Sequence, residues 1–136
     1  MRCFSFLVVS LLYAATADAQ LAVGVAPPKV AGQKAVVKLE LKNNFAEKIE
    51  SARAVCFLTD AQGNVVGHAT RWVVGGTQER PPLEPGATNA FHFVITSPDP
   101  SGFATTNLTA RVNFSRVVLV GGKLADPVKD VQINTR

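Results

Sequence analysis

Val55-Cys56-Phe57-Leu58-Thr59-Asp60-Ala61-Gln62-Gly63-Asn64-Val65-Val66, continuing to Trp72-Val73-Val74, is the stretch that decides the fold. Two runs rich in β-branched and aromatic residues flank a short polar segment, which is how a β-hairpin is written. Gly63, or Asn64 beside it, can take the positive φ that reverses the chain. Asp60 can accept hydrogen bonds from nearby backbone N–H groups. The arms predicted are 49–59 and 65–74. Both carry apolar residues on both parities in places, as expected of strands covered on two faces or passing from one sheet to another.

Outward from the hairpin the same alternation recurs. In Lys34–Lys42, Ala35, Val37, Leu39 and Leu41 share one parity, and Lys34, Lys38, Glu40 and Lys42 share the other. A helix would need apolar residues three and four apart, so this is a half-buried strand. Thr88–Thr96 alternates with Phe91, Phe93 and Ile95 inward and His92 outward. Residues 107–120 form a long strand whose phase slips near Arg116-Val117-Val118, and a β-bulge accounts for such a slip. Val128–Ile133 closes the domain. Gln20–Val30 is a lead-in whose Pro27-Pro28 suits an edge or extended segment. Pro81, Pro82 and Pro85-Gly86 keep Thr77–Ala87 out of any central strand, and Leu83-Glu84-Pro85-Gly86 reads as a tight turn. The expected architecture is all-β: an immunoglobulin- or fibronectin-III-like, two-sheet antiparallel sandwich of about seven strands.

The chain opens with Met1-Arg2, an apolar run from Cys3 to Tyr13, and Ala17-Asp18-Ala19. A charge, a short apolar core and a small-x-small site are the three parts of a secretory signal. The run falls short of the roughly 20 residues that a permanent span needs. Residues 1–19 are therefore read as a signal peptide and 20–136 as a single domain, placed outside the cytoplasm with no integral membrane segment after cleavage. Loss of Cys3 with the leader leaves Cys56 alone, so no internal disulfide forms. Cys56 lies in an apolar strand and reads as a small buried hydrophobe. Trp72 reads as a core filler, with a half-exposed aromatic in a binding face as the alternative.

Three groups of residues resemble the FxLYD-type domains of exported bacterial proteins. Cys56–Val66 is similar to that family's F-x-L-Y-D-x-x-G segment, with Leu58, Asp60 and Gly63 in agreement and Cys56 and Thr59 departing from it. Leu39–Asn43 resembles the strand before it, and Leu83–Gly86 with Phe91-His92-Phe93 the turn and strand after it. The resemblance spans roughly Lys34 to Phe114. It implies an immunoglobulin-like sandwich outside the cytoplasm, and no catalytic residues or ligand.

Chemistry-bearing patterns are scarce. His68 and His92 have no second ligand at metal-binding spacing, there is no Gly-x-Ser-x-Gly elbow, and Gly121-Gly122-Lys123 lacks the remainder of a phosphate loop. Asp60–Asn64 reads as a turn and not a calcium loop. Asn107-Leu108-Thr109 and Asn113-Phe114-Ser115 match the glycosylation acceptor pattern but lie in a predicted strand. The net charge is +4, yet the basic residues are spread along the chain, which argues against nucleic acid as a partner. No catalytic, metal or cofactor residues are expected. The predicted role is a non-enzymatic exported module that binds a protein or an envelope component, through Thr77–Ala87, Pro98–Thr105 or a free sheet edge. A small-ligand or carbohydrate-binding module is the alternative.

Overall fold

The computed structural model describes residues 20–103 and 107–135. The signal peptide expected over residues 1–19, and part of the loop expected at 98–105, lie outside them. The described chain is all-β, with nine strands: β1 (Leu21–Val25), β2 (Lys29–Ala31), β3 (Lys34–Asn43), β4 (Ile49–Thr59), β5 (Val65–Val74), β6 (Thr88–Thr96), β7 (Thr109–Leu119), β8 (Leu124–Ala125) and β9 (Val131–Thr135). The count exceeds the expected seven for two reasons. Pro27-Pro28 divides the lead-in into β1 and β2, and the chain after β7 yields two short strands instead of one.

The strands form two sheets. In the first, β3 is central: β6 pairs with it along nearly its whole length, while β1 and β2 share its other edge. β9 adds beyond β1 and runs parallel to it, so the sheet is not wholly antiparallel and β1 is not an edge strand. The second sheet has the order β5–β4–β7–β8 and is antiparallel throughout.

Alternation sets the interior. Ala35, Val37, Leu39 and Leu41 of β3 face Ala52, Ala54, Cys56 and Leu58 of β4 in one buried cluster that also takes in Phe93, Val112 and Phe114. Such close packing across two inner faces is what sheet-on-sheet stacking requires. The hairpin loop forms as its residues predict. Asp60 Oδ1 accepts the N–H groups of Gln62 (3.0 Å) and Asn64 (2.9 Å). Gly63, and not Asn64, takes the positive φ, at 85°.

Asn43, at the end of β3, is fully buried. Its Nδ2 donates to the carbonyls of Glu47 (3.0 Å) and Leu83 (2.9 Å), and its Oδ1 accepts the Phe45 N–H (2.8 Å). The backbone of Asn43 also accepts from Gly86 and donates to Ala87. One amide thus stitches the β3–β4 connection to the Pro-rich segment, where Leu83 bridges to Ile49. Replacement by Ala removes three hydrogen bonds: the Leu83 carbonyl keeps the Ile49 N–H, but the part-buried Glu47 carbonyl and Phe45 N–H lose their side-chain partner. Asn43→Ala should cost about 2–4 kcal/mol, read as a lower urea midpoint with unchanged slope; a loss under about 0.5 kcal/mol would show that water satisfies those groups.

Candidate functional site

Burying one parity of β4 turns the other outward, so Arg53, Val55 and Phe57 face away from the core. Their cross-strand partners form three rows over the second sheet. Phe57 lies between His68 of β5 and Arg111 of β7, Val55 between Thr70 and Asn113, and Arg53 between Trp72 and Arg116. The first and third rows lie four positions apart along β4, roughly 13 Å at the usual strand rise.

The third row depends on two irregularities. Between Ala52 and Arg53 the pairing with β5 jumps from Val74 to Trp72, leaving Val73 as an extra residue. Between Arg53 and Ala54 the pairing with β7 jumps from Arg116 to Phe114, leaving Ser115 extra. Each is a bulge, which adds one residue to one strand and re-aims the side chains beside it. The phase slip expected around Arg116-Val117-Val118 is real, and its extra residue is Ser115, just before that run. The apolar run Trp72-Val73-Val74 also has its cause here: Val73 and Val74 are both buried, while Trp72 faces outward and is half-buried. Trp72 is therefore not a core filler. Strand crossing or double coverage is not needed to explain the mixed parities.

Trp72 is held from behind. Gly76 has φ +81°, and a Cβ there would collide with Trp72 Cβ, Cγ and Cδ2. Only glycine permits this backbone conformation together with so close an approach. Arg80 Nη1 donates to the Trp72 carbonyl (2.6 Å), and its guanidinium lies 5.3 Å from the centre of the Phe91 ring. Phe57 and His68 sit with ring centres 6.1 Å apart, tilted by 46°.

The face is basic because acids are placed elsewhere. No Asp or Glu occurs within residues 53–59, 68–72 or 111–116. The nearest acid along β4 is Glu50, at a further register shift between Ile49 and Ser51. Asp99 and Asp126 are occupied in turns. The N–H and hydroxyl of Ser101 hold the Asp99 carboxyl below its ordinary value, and the N–H groups of Lys129 and Val128 do the same for Asp126. Lys123 pairs with Glu47 at 2.9 Å, away from the three rows.

Arg53 and Arg116 stand directly opposite one another. Like charges at opposed cross-strand positions destabilise a sheet, so folding alone gives no reason for this pair. The outer face of the first sheet differs. It carries Lys34, Lys38, Lys42 and His92 around Glu40, and its trough of about 660 Å³ has small floor residues, Ala22, Gly24 and Ala90. Charges of both signs, and no outward phenyl or indole ring, make it an ordinary solvated face.

The residues singled out from sequence are scattered. His68 lies on the second sheet opposite Phe57, and His92 on the first opposite Lys38, so the two histidines share no site. Among the described residues no cluster of three His, Cys, Asp or Glu is placed to hold a metal. Cys56 is fully buried, and burial pushes its thiol up to about 12. Asn113 is exposed on β7 in the middle row, and Asn107 is exposed just before the strand with φ 61°.

No protein-family model matches the chain, and no curated protein does either. Among solved structures, the chain is similar to a Bordetella pertussis protein designated ApaA, with a TM-score of 0.52 and 20% identity over 79% of this chain and 86% of that one. It is also similar to a structural-genomics protein designated SoR45, with a TM-score of 0.55 and 14% identity over 79% and 80%. At these identities the likeness is one of fold.

Three outcomes follow from the geometry. The Cys56 thiol should resist an aromatic disulfide reagent at pH 8 in the folded protein and react at once in denaturant; rapid reaction of the native protein would contradict its burial. Because the folded value lies above the ordinary 9.0, this group leaves stability unchanged below pH 9 and lowers it as pH climbs towards 12. Arg116→Glu replaces repulsion with attraction opposite Arg53 and should raise stability by about 0.2–1 kcal/mol in low salt. A destabilised variant would show that Arg116 is held by contacts other than its strand pairing.

Proposed function

We propose that this protein is a non-enzymatic, exported interaction module that binds a partner outside the cytoplasm through the outer face of its second sheet. The observation that carries the reading is the row Trp72–Arg53–Arg116, built by two bulges at one level of the sheet, where two guanidiniums oppose each other with no acid in the row. A surface that gives up stability to hold uncompensated positive charge beside an aromatic ring is arranged for a ligand that supplies the negative charge. Exposed guanidiniums lend themselves to this because their planar fork engages carboxylate, sulfate and phosphate groups with two parallel bonds. The leader over residues 1–19 and the resemblance to FxLYD-type domains support an address outside the cytoplasm. On this reading the face binds its ligand without transforming it: the Cys56 thiol is buried beneath it, and His68 stands beside a phenyl ring.

The test uses the chain produced with its leader and recovered from the exported fraction of the producing cells. Its N-terminus should be Gln20, and the protein should sediment with isolated envelope fragments at about 0.15 M salt. Arg53→Glu/Arg111→Glu should remain in the supernatant with an unchanged fold by circular dichroism. A chain retained inside the cell with its leader intact, or a double variant that sediments like the wild type, would overturn the proposal.

A further inference from the structure

The three rows repeat a unit. The first pairs Phe57 with Arg111 on the neighbouring strand, and the third pairs Arg53 with Trp72 on one side and with Arg116 on the other. Between them the middle row, Thr70, Val55 and Asn113, carries no charge and is partly apolar. Ring and cation therefore recur along the strand direction at a spacing of roughly 13 Å. A ligand complementary to this pattern is a polymer that repeats an apolar ring face together with an anionic group.

We infer that the ligand of this face is an acidic polysaccharide, a chain of sugar rings bearing carboxylate or sulfate groups, laid along β4 from Arg53 to Phe57. The inference rests on the binding role proposed above and names the class of ligand. Sugar rings expose C–H-rich faces that pack on an aromatic ring, while their acidic substituents reach the flanking guanidiniums. Two features of the face favour sugars over single-stranded nucleic acid, which also combines rings with negative charge. The Phe57 and His68 rings are tilted by 46°, so they do not form a stacking platform for bases. Trp72 is half-buried against Gly76, leaving a partial ring face suited to shallow contact. An acidic peptide would use the guanidiniums and leave the repeated rings without a role.

Isothermal titration of the mature chain against four probes separates these classes: alginate as the polyuronate, dextran sulfate as the sulfated polymer, polyglutamate as the acidic peptide, and oligo-dT as the nucleic acid. Neutral dextran is the control. Alginate or dextran sulfate, whichever carries the matching acid, should bind at least roughly tenfold more tightly than polyglutamate and oligo-dT, and neutral dextran should give no heat. Arg111→Gln, a change at an exposed side chain, should weaken that binding roughly tenfold, the worth of one charge-assisted hydrogen bond. Phe57→Leu, which keeps an apolar group at that position, should weaken alginate or dextran sulfate binding and leave the weak polyglutamate heat unchanged. The thermal melt of each variant checks that it is folded.

Polyglutamate or oligo-dT binding as tightly as the sugar polymers would overturn the ligand class and leave the face itself as the binding surface. Sugar-polymer affinity untouched by both Arg111→Gln and Phe57→Leu would overturn the assignment to this face along with the proposed role.

Discussion

The structure depends on one constraint: each long strand can bury only one parity of its side chains between the sheets. On β4 the buried set is Ile49 and, beyond the register shift at Glu50, Ala52, Ala54, Cys56 and Leu58, all fully enclosed. Committing these residues to the core obliges Arg53, Val55 and Phe57 to face the other way, whatever their chemistry. Burial of the small and aliphatic side chains supplies the favourable free energy, at roughly 25 cal/mol per Å² of apolar surface. The outward set then contributes little to stability and is open to a different use. The core thereby fixes the position of the candidate face without determining its composition.

The bulges modify that constraint at one level of the sheet. A regular ladder would give each outward residue of β4 one outward neighbour on either side, in strict phase. At Arg53 both neighbouring strands instead insert a residue, Val73 on β5 and Ser115 on β7. Two consecutive residues of β5 can then be buried, while Trp72 stays outside. On β7 the insertion leaves Ser115 and Arg116 both exposed. Gly76 and the Arg80 hydrogen bond to the Trp72 carbonyl secure the indole at the sheet edge. The result is a local departure from ideal pairing that places a ring and two cations side by side.

Much of this was legible in the sequence, because period-two alternation is a direct consequence of the pleat. The ranges expected for β4, β5 and β6 coincide with those observed, as does the turn at Asp60–Asn64. The end of the chain was less legible: short strands such as β8 and β9 have too few residues to establish a period, and the parallel pairing of β9 with β1 depends on long-range placement. The candidate face was missed because Arg53, Arg111 and Arg116 are up to 63 residues apart in sequence and converge only through strand pairing. Two signals did point to it. The phase slip at Arg116 and the triple apolar run at Trp72 are the marks of the two bulges, each legible on its own strand. Only the register shows that they lie at the same level, flanking one arginine.

Chemical-shift mapping with isotope-labelled mature chain and an acidic polysaccharide tests the central claim most directly, because the two outer faces report separately. The perturbed amides should fall within 53–57, 68–72 and 111–116, with the Trp72 indole N–H among the largest shifts. Perturbation concentrated instead on Lys34–Lys42 and Thr88–Thr96, on the opposite sheet, would contradict it.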